Sequence, residues 1–124
     1  MQFINECVTN LNVGILAEFN NDGKIQGYTN SRIIGVISRV YQTELLNDDD
    51  TTTVINVAEV TTAGWCNNVI LSGSASWKGC ELYANGNRLS STINGDIIAR
   101  LIPRTLGEEQ LDFKDGDLVT VVVL

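Results

Sequence analysis

The sequence predicts an all-β protein in a single domain, a small barrel or sandwich. Three observations carry that prediction. Apolar residues fall in short runs rich in Val, Ile and Thr, such as "VINVAEV" (54–60) and "LVTVVVL" (118–124), the side chains that suit a pleated, half-buried surface. Clusters of Gly, Asn and Asp separate the runs, at "NNDG" (20–23), "NG" (85–86 and 94–95) and "KDGD" (114–117), and strands so punctuated build sandwiches or barrels. No segment carries the apolar stripe of an amphipathic helix. A chain of 124 residues makes one domain, with a core that takes up roughly two-thirds of the unfolded surface.

Each element has its own reason. The one helical candidate, "NECVTNLNVGILAEF" (5–19), contains Gly14, so it reads instead as an extended N-terminal arm, residues 1–13, leading into a β domain, residues 14–124. The alternative is that residues 1–13 start the first strand. "RIIGVISRVY" (32–41) and "DIIARLI" (96–102) are short aliphatic strands, and "NVILSG" (68–73) is another. "GCELYANGNRLSS" (79–91) reads as strand, tight turn, strand, with Asn85 and Gly86 at the turn because that pair tolerates its positive backbone angles. "RIIGVI" and "DIIARL" also resemble each other across 64 residues. Their small residue, Gly35 or Ala99, marks a place where another backbone comes close. Coincidence and internal duplication both account for the likeness.

Composition narrows the function. Eight Lys and Arg stand against fifteen Asp and Glu, a formal charge of −7; that field repels a phosphate backbone, so no nucleic acid is expected as a partner. No apolar run reaches the length of a membrane helix, and the N-terminus lacks the pattern of a signal peptide, so the expectation is a cytosolic origin and no membrane. The chain has no His, which removes the usual general base near neutral pH and most zinc sites. Cys7, Cys66 and Cys80 show no CxxC spacing and read as buried, reduced and passive, with a Cys66–Cys80 disulfide as the alternative. No cofactor is expected.

Carboxylates are the remaining route to chemistry. "EEQLDFKDGD" offers Glu108, Glu109, Asp112, Asp115 and Asp117, in a stretch that reads as a solvated turn; a carboxylate hydrolase would need two of them facing across a cleft. "NDDDTTT" (47–53) has the acidity of a calcium loop without its spacing and reads as a solvent-facing loop. Trp65 and Trp77 are the only tryptophans. They are candidate anchors in a core or interface, and alternatively a platform for a sugar ring.

The last strand points outward from the chain. Along "LVTVVVL" one face takes Leu118, Thr120, Val122 and Leu124, the other Val119, Val121 and Val123. Both are apolar, where a half-solvated strand alternates with polar residues. A neighbouring subunit is the simplest cover, and a central place in a small barrel is the other. The expectation is a homo-oligomer with Val119, Val121, Val122 and Val123 at or near the contact. Phe3, Ile4, Val8 and Leu11 of the arm are further interface candidates.

Taken in order, "GYTNSRIIGVI", "TVINVAEV", the hairpin at 79–83, "NGDIIARLIP", an acidic turn and the Val-rich last strand form a pattern. It resembles the small capsid decoration (cement) proteins of tailed bacteriophages over residues 27–124. Residues 95–101 match the recurring Gly-x-x-Ile-Gly/Ala-x-Leu strand, with Ala99 where Gly is commoner. The resemblance implies a β-tulip-like barrel, a trimer, and a place outside the capsid, bridging neighbouring major capsid subunits. It implies a virion protein made in the cytoplasm of a host bacterium, and no enzyme. The alternative is a carbohydrate- or receptor-binding β domain of a fibre or tailspike.

Overall fold

The computed structural model describes residues 1–76, 80–102 and 112–124. Every regular element among them is a strand: β1 (Gln2–Glu6), β2 (Leu16–Phe19), β3 (Ile25–Gly27), β4 (Gly35–Leu46), β5 (Thr52–Thr61), β6 (Gly64–Ser72), β7 (Ala75–Ser76), β8 (Glu81–Asn85), β9 (Arg88–Ser90), β10 (Ala99–Ile102), β11 (Asp112–Phe113) and β12 (Leu118–Val123). The fold is all-β, a small single domain with a closed five-stranded barrel.

The strands form two lobes that repeat one topology. In the first, the order is β1-β5-β4-β2-β3. In the second, read from β6, it is β6-β12-β10-β8-β9, and a parallel pairing of Leu71 with Leu89 joins the last strand back to the first. The first lobe has the same closure in reduced form: an isolated parallel bridge from Cys7 to Ile25, backed by Val8 N–H donating to the Ile25 carbonyl at 3.0 Å. "RIIGVI" and "DIIARL" sit in matching places, with Gly35 and Ala99 opening β4 and β10. The two segments thus hold equivalent places in a repeated topology.

Interior positions correspond as well. Cys7, Ile25 and Ile37 line the first lobe where Leu71, Leu89 and Leu101 line the second, all of them buried. Ile15, Ala17, Ala58 and Val60 complete the first interior, and Leu82, with Val121 in the place of Val60, is among those that fill the second. The larger interior is the one whose strands close completely.

One cross-strand row decides how the lobes meet. In the first lobe, Leu16 pairs with Val36, Val36 with Thr61, and Thr61 with Gln2. Leu16 and Val36 are buried in the same cluster as Leu71, Leu89 and Val121, so this row packs against the second lobe. Gly35 is required beside it, because a Cβ there would collide with the Thr61 carbonyl oxygen. The matching row of the second lobe is Glu81, Arg100, Val122 and Trp65, and it faces solvent.

Three sequence expectations change here. Residues 1–13 are built into the fold: β1 pairs with β5 over five residues, from Gln2 with Thr61 to Glu6 with Val57, and the Met1 amine donates to the Ala63 carbonyl at 2.6 Å. Phe3 meets Phe19 edge-on with centroids 5.6 Å apart, Val8 is half-buried, and Leu11 packs on the first-lobe core, so Ile4 is the most exposed of the four arm candidates. The β8–β9 turn is centred one residue later than expected. Asn85 pairs with Arg88, leaving Gly86 and Asn87 as the loop, and Gly86 alone has positive φ, at 59°. That is the Gly-first form of the two-residue hairpin. The third change concerns β12.

Candidate interaction surfaces

β12 is a stave of the closed barrel, between β10 and β6. Val119, Val121 and Val123 face its interior, at 2%, 0% and 4% exposure. A register shift between Val119 and Val121 lets Thr120 be buried too, its hydroxyl donating to Asn67 Oδ1 at 2.9 Å. Three of the four predicted contact valines are therefore core, because barrel closure supplies the cover that a subunit was expected to supply. Only Val122, half-buried, reaches the outer face. β12 thus gives no reason of its own for a trimer.

Val122 lies opposite Trp65, so the structure brings two of the predicted residues together. Trp65 is 65% exposed, far more than a core role would leave. Next in the row, Arg100 lies 3.9 Å from Glu81, whose Oε2 accepts the Tyr83 hydroxyl at 3.0 Å. Exposed Leu124 follows Val123 at the end of the same strand. The surface is the convex outside of a barrel, with an aromatic anchor, aliphatic neighbours and one ion pair. Trp77 falls outside the described residues.

The second prominent surface is the far half of the β4–β5 hairpin. Residues 42–54 are all exposed, and among the described residues 42–46 pair only with 52–56. Leu45, Leu46 and Val54 are 49%, 74% and 56% exposed. "NDDDTTT" closes the tip: Asn47 Nδ2 donates to the hydroxyls of Thr51 and Thr53, and Asp49 accepts from the Thr51 backbone. The Thr51 hydroxyl also holds the Asp49 carboxyl below its usual range. The Asp49 carboxylate builds the turn, and no group of three His, Cys, Asp or Glu among the described residues could hold a metal ion.

The other candidates are structural. Asp115 accepts from Gly73 N–H and Asp117 from Lys114 N–H, both at 2.8 Å; these bonds fix the turn before β12. Glu108 and Glu109 lie outside the described residues. Cys7, Cys66 and Cys80 are free thiols, each pushed up in pKa by burial.

Sequence reasoning missed Glu18. It is 2% exposed and accepts from Thr29 N–H, Ser31 N–H, the Thr29 hydroxyl and Gln26 Nε2 at 2.7 to 3.0 Å. The Thr29 backbone bond is the largest cause of a pKa lowered to about 2, and burial opposes it. Its task is to pin the link from β3 to β4, which leads into the buried row at Val36. A lone carboxylate inside the apolar "ILAEF" was the available signal.

Comparison of the chain with protein-family models, with curated proteins and with solved structures finds no match in any of the three.

Proposed function

We propose that this chain is a structural virion protein that binds the exterior of an assembled phage capsid and stabilises it by bridging neighbouring major capsid subunits. The decoration-protein resemblance of residues 27–124 motivates the reading. The observation that carries it is the exposed row Trp65, Val122, Arg100 and Glu81. Its first-lobe counterpart buries Leu16 and Val36 against a neighbouring barrel. The same face of the repeated unit, left open and carrying a tryptophan, suits a second protein surface. Trp is enriched among residues that dominate interfaces, and a shell of weakly bound copies gains stability by mass action at many sites.

The fibre reading draws on the same Trp65. A sugar platform needs polar groups converging on the ring, and Asn67, the nearest Asn along the outer side of β6, spends its Oδ1 on Thr120. The capsid reading is therefore placed first.

The test mixes purified protein with expanded, undecorated heads of the phage that carries the gene, followed by sedimentation. Wild type co-sediments and raises the temperature at which the heads break open. Trp65→Ala keeps the same circular dichroism and weakens co-sedimentation at least about tenfold. Wild type left in the supernatant at every stage of head expansion overturns the proposal, and a hit on a glycan array that depends on Trp65 would put the fibre domain in its place.

A further inference from the structure

We infer that the free edge of β4 is a self-pairing surface, and that two copies of the chain join there, antiparallel, into one four-stranded sheet centred on Thr43. This goes beyond the capsid reading and does not rest on it.

The edge is long and open. β2 pairs only with Gly35 and Val36 of β4, and Gly14 and Ile15 bond to Ile37. A register shift between Ile37 and Arg39 then ends the covered part. From Arg39 to the tip, β4 is bonded on its β5 side alone among the described residues. Unpaired strand edges are templates for another strand, and a two-stranded ribbon projecting into water is marginal without further cover. This ribbon also exposes Leu45, Leu46 and Val54.

The side chains say which strand fits. Two antiparallel copies related by a two-fold axis must pair residues whose numbers share an even sum, since opposed residues lie on one face of the sheet. Centred on Thr43, that rule sets Tyr41 against Leu45 on one face, and Val40 against Leu46 and Gln42 against Glu44 on the other. Aromatic meets aliphatic, aliphatic meets aliphatic, and an amide meets a carboxylate, each a favourable cross-strand pair. Centring on Gln42 instead would put Val40 against Glu44 and leave Leu46 against Ser38.

Charge agrees with the same arrangement. Residues 42–56 carry Glu44, Asp48, Asp49 and Asp50 and no Lys or Arg, so parallel hairpins would bring the acidic tips together. Antiparallel pairing puts the acidic tips at opposite ends of the sheet, roughly 33 Å apart at about 3.3 Å per residue, well beyond the screening length of roughly 8–10 Å. It also brings Arg39 of each copy beside residues 47 and 48 of the other. Arg39 is the one basic residue on this edge; it stacks over Tyr41 at 4.5 Å and lies 3.6 Å from Glu59 of its own chain, with much of the guanidinium still exposed.

Light scattering across a concentration series reads the first consequence: a mass twice that of the 13.5 kDa chain. Leu45→Asp sets a carboxylate against Tyr41 of the second copy and gives a monomer. Because Leu45 is exposed within its own chain, the variant keeps the wild-type circular dichroism and melting curve. Register is read by oxidation. Thr43→Cys yields a disulfide-linked dimer, since directly opposed Cα atoms lie within bridging distance. Gln42→Cys links to Glu44→Cys when the two variants are mixed, and neither links to itself. A monomer at every concentration overturns the inference, as does a trimer. A dimer that survives Leu45→Asp, or in which Thr43→Cys fails to link while Gln42→Cys links to itself, overturns this edge and this register.

Discussion

The two lobes have one topology and opposite fates at one row. In the first lobe the row begins Leu16, Val36 and is buried against the second lobe; in the second it begins Glu81, Arg100 and meets solvent as an ion pair. The strand order and the pairing along this row are the same, so the side chains decide. An apolar pair on the outside of a small barrel must find cover, and a charged pair must keep water or lose several kcal/mol. Among the described residues the first lobe therefore meets the closed barrel through its apolar row. The counterpart face stays open, with Trp65 at its end.

The largest expected effect comes from carrying the charged row across. Val36→Arg, the residue its counterpart position holds, buries an unpaired charge between the lobes. It costs on the order of 4 kcal/mol or more, much of the stability of a small domain. Urea denaturation followed by fluorescence reads the loss. The reverse change, Arg100→Val, moves stability by no more than about 0.5 kcal/mol, because it lies in solvent. Equal effects from the two would mean the rows are not the asymmetric pair described.

Gly35→Ala tests the neighbouring position, where the second lobe already has alanine. A Cβ on Gly35 meets the Thr61 carbonyl and the Val60 side chain, and φ is +154°. The cost is about 2–3 kcal/mol. Ala99→Gly loses about 1–2 kcal/mol, from added backbone freedom and from the buried methyl it removes. The melting temperatures of the two variants give the comparison.

Glu18 separates the lobes by pH. Its place is taken in the second lobe by Tyr83, as the pairing of Glu18 with Gln26 and of Tyr83 with Ser90 shows. The folded pKa of about 2 lies below the ordinary value of 4.5. A depressed carboxyl stabilises the fold fully above the unfolded pKa, and that contribution is lost as pH falls from about 4.5 toward 2. Glu18→Gln should flatten the acid side of the stability curve in that window while leaving the curve above pH 6 parallel to wild type. Glu18→Ala, which strands two backbone donors, costs about 2 kcal/mol at neutral pH.

The smallest effect is a gain. Among the described residues the buried Thr61 hydroxyl has no hydrogen-bond partner beyond a weak interaction with the Cys66 thiol, and its counterpart is Val122. Thr61→Val should raise stability by about 1 kcal/mol, read as a shift in urea midpoint with the slope unchanged.

Strands and turns were legible in the sequence because their causes are local. β-branched runs prefer the pleated backbone, and "NNDG" and "KDGD" stand at turns where Gly23 and Gly116 take positive φ. Gly35 was legible as a close approach, whereas the likeness of "RIIGVI" to "DIIARL" left coincidence and a repeat equally open. Cover was not legible. Whether the second apolar face of β12 met a subunit or a barrel interior depended on β6 and β10 closing around it, and the Val122–Trp65 pair joins residues 57 apart in sequence. Residues 1–13 read as a loose arm because their partners, residues 57–61, lie far along the chain. Glu18 looked misplaced until Thr29 and Ser31 folded back onto it. Turn and strand preferences act through neighbouring atoms, whereas burial is settled by long-range closure, which a linear chain does not display.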